Sequence, residues 1–424
     1  MNHVIVVDLG YGDAGKGTVV DWLCSRQEGR PVRMVVRFNG GAQAAHNVVT
    51  RDGRHHAFAQ FGAGTFASGV RTHLSRFVLI DPLAVAAEAA HLASLGVAGA
   101  LDLLTVDRDA LLATPYHQAA NRARELARGV GRHGSCGMGI GETASYALAH
   151  PQDAPRAGDC AAPRLLARKL ATLRDRLTGE LGPLVAPPPA HICDAYRAFA
   201  SRVRLVDGSY LARLLRAGPV VFEGAQGVLL DEWRGFHPYT TWSTTTFANA
   251  EQLLAEAGQQ AIRLGVTRCH MTRHGPGPFV TEDPGLDLPE PHNGRNQWQG
   301  SFRTGHLDAV ALRYAIEVAD GVDAIALTHL DTAARHSELR ICRSYQAAGR
   351  SLTRLPAGPP RDLNYQKRLT RMLLATRPVY SDPGGDWAHV IEQETGARAV
   401  LRSHGPTAAD KTASQPFGSS RAAA

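Results

Sequence analysis

The stretch VIVVDLGYGDAGKGTVVDWLC, from Val4 to Cys24, decides the fold. It has the pattern of a buried strand, a glycine-rich turn and a helix, the order found at the edge of an α/β nucleotide site. Gly10 to Gly17 have the spacing of a phosphate-binding loop, in which glycines let backbone N–H groups approach phosphate oxygens and Lys16 adds positive charge. The sequence therefore predicts an α/β protein with a phosphate site after its first strand.

This loop departs from the usual phosphate-binding pattern at two positions. Gly17 stands where the usual loop has the Ser or Thr that holds magnesium, and Asp13 lies inside the loop itself. A carboxylate beside a reacting phosphate can ligate a metal or accept a proton. The alternative interpretation, which a bare Gly-x4-Gly-Lys pattern leaves open, is that Asp13 only caps the following helix.

The rest of the chain alternates short β-branched or aromatic runs with helical patterns. The runs MVVRF, FVLI, PVVFEG and AIALTHLD are bounded by Gly, Pro or Asp. This alternation predicts an α/β fold with a mainly parallel central sheet covered by helices. We expect one domain over 1–406, with a peripheral helical excursion near 110–215 and a flexible tail over 407–424.

Composition narrows the class of protein. The chain has 424 residues, 44% hydrophobic and 20% charged, which is enough apolar material for a large core. It shows no apolar run of about 18 residues and no signal segment, so we expect a cytoplasmic protein that does not enter a membrane. Its six cysteines lack a CxxC pair and are expected to be reduced. The net charge of +7 comes from scattered Lys and Arg residues, which favours small anionic substrates over nucleic acid.

Several segments together resemble one enzyme family. The phrase GDAGKG (Gly12–Gly17) resembles the GDEGKG loop of adenylosuccinate synthetases, with Ala14 in place of Glu. Further segments follow in the family's order and cover almost the whole chain. RFNGGAQAAHNVV (37–49) is similar to the family's RYQGGHNAGHT, FEGAQG (222–227) is unchanged, and HPYTTWSTTT (237–246) resembles YPYVTSSNTT. Near the C-terminus, THLD (328–331) resembles TKLD, and SHGP (403–406) resembles STGP. Without the resemblance, FEGAQG is a tight turn with a buried carboxylate, Glu223, that needs partners.

The resemblance implies a P-loop-like architecture of the adenylosuccinate synthetase type and a GTP-dependent C–N ligase that uses Mg²⁺. Such an enzyme phosphorylates the 6-oxygen of an IMP-like purine nucleotide and replaces it with the amino group of aspartate, giving adenylosuccinate. Asp13 would take the N1 proton, Gln226 would steady O6, and His46 and Lys16 would stabilise the transferring phosphoryl group. The family also implies a homodimer.

The binding residues carried over from the family fall into four groups. For GTP they are Gly12, Gly15, Lys16, Gly17, Asp331, Ser403, Gly405 and Pro406; for the acceptor, Gln43, Cys136, Gln226 and Thr241; for the amino acid, Arg295 and Arg303; for the metal, Asp13 and the backbone carbonyl of Ala45. An aspartate that accepts from N1–H and the 2-amino group of guanine discriminates against adenine, so Asp331 favours GTP over ATP.

Departures from the family cluster at two places. At the acceptor 5′-phosphate, Gln43 replaces Asn, Cys136 replaces Thr, and Gln152 stands for the arginine lent by a neighbouring subunit, unless Arg156 substitutes for it. In the loop that grips the carboxylates of aspartate, arginines become Gly300, Ser301 and Phe302, with Arg303 retained and Arg295 just upstream.

These departures leave three hypotheses. The chain is a standard GTP-dependent ligase making adenylosuccinate, or a paralogue that applies the same chemistry to another purine-like acceptor or amine, or a non-catalytic GTP-binding protein. Retention of Asp13, His46 and Gln226 disfavours the last, and Gly17 disfavours a plain P-loop GTPase. The sequence predicts strong discrimination at the purine 6-position and weak discrimination at the 5′-phosphate.

Overall fold

The computed structural model describes residues 2–26, 31–288, 290, 292–293 and 297–414. Within these ranges the strands are β1 (His3–Asp8), β2 (Met34–Arg37), β3 (His46–Val49), β4 (His55–Phe58), β5 (Arg71–Leu74), β6 (Leu104–Asp107), β7 (Arg204–Val206), β8 (Val221–Glu223), β9 (Ala261–Arg268), β10 (His270–His274), β11 (Phe302–Asp308), β12 (Ala324–Thr328), β13 (Ile341–Ala347), β14 (Arg350–Leu352), β15 (Arg377–Ser381), β16 (Ala399–Ser403) and β17 (Lys411–Ala413). The α-helices are α1 (Lys16–Ser25), α2 (Pro82–Ser94), α3 (Pro115–Ala127), α4 (Ile140–Ala149), α5 (Pro163–Leu181), α6 (Pro189–Arg202), α7 (Gly208–Ala217), α8 (Ala248–Glu256), α9 (Ala309–Val318), α10 (Leu330–Arg335), α11 (Leu363–Leu374) and α12 (Trp387–Thr395).

A ten-stranded sheet forms the centre of the molecule, in the order β17-β16-β12-β9-β1-β8-β2-β5-β6-β7. Its neighbouring strands pair in parallel except at one edge, where β17 runs antiparallel to β16. The predicted α/β fold with a mainly parallel sheet is therefore confirmed. The strand order also places β8, which is distant in sequence, between β1 and β2.

Strand β1 is buried on both faces, which explains its unbroken apolar sequence. Ile5 and Val7 point into one hydrophobic core, and Val4 and Val6 point into the other. Because parallel strands end at the same edge, the polar residues that close β1, β2 and β8 lie close together. That edge carries Asp8, Arg37 and Glu223.

A smaller sheet and a hairpin flank the central sheet. The smaller sheet contains β10, β11, β13, β14 and β15, and only its β11–β13 pair is parallel. The hairpin pairs β3 with β4 and begins at His46. Gly17, at the start of α1, lies against this hairpin.

The region over 110–215 is largely helical, from α3 to α7, and rejoins the sheet through β7, which pairs with β6. The prediction of a flexible tail from residue 407 is wrong for its first part. Thr407 and Asp410 form a capping box, and Lys411–Ala413 pair with β16 as β17. The Lys411 side chain is buried and donates to the Thr407 carbonyl at 2.7 Å. Residues 415–424 lie outside the described ranges.

Two expectations from composition concern the cysteines and membrane spans. All six cysteines carry free thiols. Among the described helices, none is long and apolar enough to cross a membrane.

Candidate functional site

Asp8, at the end of β1, organises the phosphate loop from within. Its Oδ1 accepts from the backbone N–H of Gly10 at 2.8 Å and of Gly12 at 3.3 Å. Its Oδ2 accepts from Ala14 N at 2.8 Å and from Lys16 Nζ at 3.0 Å. Asp8 thus shapes the loop and holds its lysine. Sequence reasoning passed over Asp8, although a carboxylate between a buried strand and a glycine-rich loop is a signal for such a role.

Gly17 is required by packing against β3. A Cβ at this position would lie 2.9 Å from the Cβ of His46 and 3.1 Å from the carbonyl oxygen of Asn47. A Ser or Thr here would therefore push the hairpin away. The missing hydroxyl of the loop is the consequence of bringing His46 next to the start of α1.

His46 pairs with the buried carboxylate of Glu223. The His46 Nδ1 lies 2.6 Å from Glu223 Oε1, and Glu223 Oε2 accepts from Ala63 N at 2.9 Å. Burial raises the pKa of Glu223, but the charges of Arg37 and His46 outweigh it, and the net pKa is lowered. Burial, with Arg37, lowers the pKa of His46. An ionised Glu223 therefore accepts from His46 Nδ1–H, which leaves Nε2 for a ligand.

The FEGAQG turn is held against the phosphate loop. Asn39 Oδ1 accepts from Ala225 N at 2.7 Å, and Asn39 Nδ2 donates to the Ala225 carbonyl at 3.1 Å. A Cβ at Gly227 would lie 2.2 Å from the carbonyl oxygen of Gly10, so only glycine allows this approach. Gln226 has φ 56°, and its Oε1 is buried without a protein partner. A buried amide oxygen of this kind needs a donor, which a ligand can supply.

Asp13 pairs with a histidine that sequence reasoning missed. Asp13 Oδ2 lies 3.3 Å from His274 Nε2, and the Asp13 carbonyl accepts from Arg268 Nε at 2.6 Å. Burial raises the pKa of Asp13, but the hydrogen bond and charge of His274 outweigh it, so the net pKa is lowered. Burial lowers the pKa of His274, but the hydrogen bond and charge of Asp13 raise it by a larger amount, so the net pKa is raised. Both directions favour an imidazolium–carboxylate pair.

These groups line one cavity of about 890 Å³. It brings together all of the predicted catalytic, acceptor and metal residues and one residue predicted for GTP alone, Gly12; the others are Asp13, Lys16, Gln43, Ala45, His46, Cys136, Gln226 and Thr241. Arg273 and Trp242, which sequence reasoning did not single out, line it as well. The Arg273 guanidinium donates to the carbonyls of Pro276, Pro278 and Tyr239, so it supports the wall.

The residues predicted to bind the guanine base lie outside this cavity but adjoin the phosphate loop. Thr328 Oγ1 donates to the Ala14 carbonyl at 2.7 Å, and Thr18 Oγ1 donates to the Pro406 carbonyl at 2.7 Å. Ser403 Oγ donates to the Gly405 carbonyl at 3.0 Å. Asp331 follows β12 in α10, where its Oδ2 accepts from Arg335 Nη2 at 2.9 Å.

Arg303, which the family resemblance predicts to bind the amino acid, has protein partners and is not among the described residues that line the cavity. Its Nε and Nη2 donate to the two oxygens of Glu282 at 2.8 and 2.5 Å, and its Nη1 donates to the carbonyls of Gly275 and Gly277. The guanidinium is thus committed to the wall of the smaller sheet. Arg295, the other predicted residue, lies outside the described ranges.

Gln152 and Arg156 are the two candidates for the position of the family's arginine at the acceptor phosphate. Both lie away from the cavity of their own chain. The Nη1 of Arg156 donates to the Asp109 carbonyl at 2.6 Å, and its backbone N–H donates to Asp159 Oδ2 at 2.7 Å. Neither Arg156 nor Gln152 is among the described residues that line the cavity.

The oxygen donors of the site suit Mg²⁺ bound chiefly through a nucleotide. The Asp13 carboxylate and the backbone of Ala45 line the same cavity. The described residues contain no group of three or more His, Cys, Asp or Glu side chains placed to hold a metal. Because Mg²⁺ keeps several waters and binds through one or two carboxylates plus phosphates, this small donor set fits it.

Comparison with known proteins gives a family match and several relatives. Residues 5–373 match the family model described as adenylosuccinate synthetase. The adenylosuccinate synthetase of Paraburkholderia xenovorans is 32% identical over 378 residues, covering 84% of this chain and 82% of the relative. That of a Marinomonas species is 35% identical over 358 residues, covering 81% and 80%.

Solved structures show the same fold. A fully ligated adenylosuccinate synthetase from Plasmodium falciparum matches with a TM-score of 0.83 and 22% identity, covering 98% of this chain and 100% of that one. A succinoaminodeoxyadenylate synthetase of cyanophage S-2L, bound to dGMP and to dATP as an energy donor, matches with a TM-score of 0.61 and 18% identity, covering 98% and 96%.

Proposed function

We propose, from the premise that this chain belongs to the adenylosuccinate synthetase family, that it is a GTP-dependent C–N ligase joining aspartate to C6 of IMP. The observation that supports this reaction most directly is the convergence of Asp13, His46 and Gln226 on one cavity beside the phosphate loop. A protein that only bound GTP would have no need of these groups.

Asp13 supplies the base in this proposal. A 6-oxo purine is a poor electrophile until its oxygen has been phosphorylated. The lowered pKa of Asp13, in which burial is outweighed by His274, keeps its carboxylate ionised and able to accept the N1 proton. Loss of that proton concentrates negative charge on O6, which then attacks the γ-phosphate of GTP.

Gln226, His46 and Lys16 stabilise the charge that develops. The Gln226 side chain lines the cavity, where its Nε2–H can donate to O6 of the purine as negative charge develops there. Glu223 orients the His46 ring, and negative charge on the arriving phosphates would favour protonation of Nε2. Lys16, paired with Asp8, carries its charge at the phosphate loop. Bound Mg²⁺, held by Asp13 and the Ala45 carbonyl, would supply neutralisation of phosphate charge.

The nucleotide preference rests on Asp331. Its carboxylate lies in α10, directly after the strand whose Thr328 contacts the phosphate loop. The bond from Arg335 to one carboxylate oxygen fixes the side chain and leaves the other oxygen for guanine donors. This geometry favours GTP over ATP.

Assembly and location complete the proposal. The family resemblance supports a homodimer whose interface contributes to the acceptor site, and a cytoplasmic location. Sedimentation at micromolar concentration should give the mass of a dimer, and a monomer would contradict the assembly.

The experiment that tests the function combines the full chain with GTP, Mg²⁺, aspartate and IMP. We expect GDP, inorganic phosphate and adenylosuccinate in equal amounts, measured by chromatography and mass spectrometry. Omission of aspartate should prevent formation of the adduct. GTP binding without any product would exclude the ligase.

One observation supports a second candidate for the amine donor. Arg303 is committed to Glu282 and two backbone carbonyls, so the expected grip on the aspartate carboxylates is missing from the described residues. A paralogue that uses a different amine is therefore the alternative. Turnover with a panel of amines, each compared with aspartate, separates the two.

A further inference from the structure

One side of the cavity is formed by α3 and the segment that leads into α4. We call it the α3 wall, and its ionisable members that line the cavity are Arg124, Glu125, Arg128, His133, Cys136 and Glu142. Its two parts are joined, because Asn121 Nδ2 donates to Ser135 Oγ at 2.8 Å and Gly134 N donates to Glu125 Oε2 at 3.1 Å. The wall includes Cys136, the position that the family resemblance assigns to the acceptor 5′-phosphate.

The arginines of the α3 wall are already paired with carboxylates. The Nε of Arg124 lies 3.0 Å from Glu142 Oε1, and the Nη2 of Arg124 lies 2.9 Å from Glu180 Oε2. Arg128 pairs with Glu125, whose side chain is fully buried. A dianionic phosphate would have to displace Glu142 or Glu125 from these arginines and would meet their negative charge.

The other groups of this chain near this position are neutral. Burial lowers the pKa of His133, so its ring is uncharged at neutral pH. Burial raises the pKa of the Cys136 thiol, so it is uncharged at neutral pH. Gln43 Oε1 is buried and has no protein partner. A neutral amide can accept from a ligand hydroxyl, and it brings no formal positive charge to a phosphate. The indole of Trp242, which is 47% exposed, also lines the cavity and lies against Gly141.

We propose that this cavity also accepts 6-oxo purine nucleosides, which carry a 5′-hydroxyl where a nucleotide carries a phosphate. The inference rests on the proposed function and names a further acceptor class for the same site. With inosine, the N1 proton passes to Asp13, O6 bonds to the γ-phosphorus of GTP, and GDP leaves. The amino nitrogen of aspartate then bonds to C6, the C6–O6 bond breaks, and inorganic phosphate leaves with release of the amine proton. The product is N6-succinyl adenosine.

The test compares inosine with IMP, using the full chain with saturating GTP, Mg²⁺ and aspartate. Phosphate release and mass spectrometry of the product give kcat/KM for each acceptor. A phosphate held by two charge-assisted hydrogen bonds would favour the nucleotide by about 100-fold or more. We expect the two kcat/KM values to lie within about tenfold, and a larger preference for IMP overturns the inference. Failure of both acceptors while GTP still binds refutes the proposed function itself.

Variants of the two carboxylates that hold Arg124 sharpen the test. Glu142 lines the cavity, whereas its counterpart Glu180 does not belong to the described lining, so Glu180→Gln is the matched control for Glu142→Gln. Removing the charge of Glu142 should shift the IMP-to-inosine ratio toward IMP by about tenfold, with a smaller shift for Glu180→Gln. An unchanged ratio in Glu142→Gln overturns the inference. Loss of turnover with IMP but not with inosine in an Arg124→Gln variant also overturns the inference.

Discussion

Asp13 and Gln226 share an uncommon backbone conformation, with φ of 59° and 56°. Non-glycine residues in this region store strain, which persists where the surrounding structure determines it. At Asp13 the carbonyl is held by Arg268, and at Gln226 the preceding residue is held by Asn39. The strain therefore accompanies two side chains that the loops present to one cavity.

Asp13→Asn should abolish turnover and leave the binding of GTP, measured without Mg²⁺, nearly unchanged. The amide keeps the size of the side chain and the loop N–H groups that Asp8 organises, but it cannot accept the N1 proton. Turnover from phosphate release and the Kd of GTP from titration calorimetry measure the two effects. Near-normal turnover of the variant would contradict the assignment of Asp13 as the base.

Glu223→Gln should lower kcat with little change in the KM for GTP. The buried carboxylate fixes the tautomer and orientation of His46 at 2.6 Å and does not itself line the cavity. We expect a loss of about 10²–10⁴, similar to His46→Ala, because the pair acts as a unit. The double variant that carries Glu223→Gln and His46→Ala tests this coupling. If the logarithm of its loss in kcat equals the sum of the logarithms of the two single losses, the residues act independently.

Asp331→Ala should erode the preference for GTP over ATP. Its carboxylate is the acceptor for the guanine N1–H and 2-amino groups, and adenine has no such pair of donors. The ratio of kcat/KM for GTP to that for ATP measures the effect, and Arg335→Ala is the control for loss of the ion pair alone. Equal use of both nucleotides by the unaltered chain would defeat the assignment.

At the scale of elements, the edge of the central sheet matters most for the nucleotide site. Strand β16 would be an open edge without β17, and the turn between them contains Pro406, whose carbonyl accepts from Thr18 of α1. The short strand therefore covers the edge and positions the turn against the phosphate loop.

Removal of residues 407–424 should destabilise the fold and weaken GTP binding. The truncation removes the β16–β17 pairing, the capping box of Thr407 and Asp410, and the bond from Lys411. A loss of about 2 kcal/mol or more in the free energy of unfolding is expected from these hydrogen bonds, measured by denaturant titration. Removal of residues 415–424 is the matched control, and equal effects of both truncations would show that β17 contributes nothing.

At the scale of the whole molecule, histidines buried in a neutral state make stability depend on pH. Burial lowers the pKa of His73 to about 4 and that of His117 to about 3. Below about pH 6.5, the ordinary pKa of histidine, both rings take up a proton in the unfolded chain but stay neutral in the folded chain. Stability contributed by the neutral rings is therefore present above that pH and is lost as the pH falls toward the folded pKa values.

His117→Gln should reduce this acid sensitivity. His117 Nδ1 accepts from Thr114 N at 3.1 Å in the capping box of α3, a role that needs the neutral ring and that Gln can also fill. Between pH 6.5 and 4 the wild-type free energy of unfolding should fall about 1.4 kcal/mol more per pH unit than that of the variant. Denaturant titrations at several pH values measure both slopes, and identical slopes would contradict the prediction.

The sequence by itself determined the fold class and the phosphate loop at one end of the cavity. The reason is that a glycine-rich loop after a buried strand carries its own local geometry, so Asp13 and Lys16 could be placed beside a phosphate from adjacent residues. The role of Gln226 in FEGAQG came from the family resemblance. The prediction that Glu223 needs partners followed from its position at the end of an apolar run.

Only the tertiary structure decided which side chains pair across the site. Because β8 lies between β1 and β2, Glu223 meets His46, and because β10 lies near the phosphate loop, His274 meets Asp13. The same holds for Arg303, which sequence reasoning assigned to an amino acid and which the fold commits to Glu282. Hydrogen bonds and ion pairs act over a few ångströms, and distances of that size between residues remote in the chain follow from strand order and packing, which no local pattern encodes.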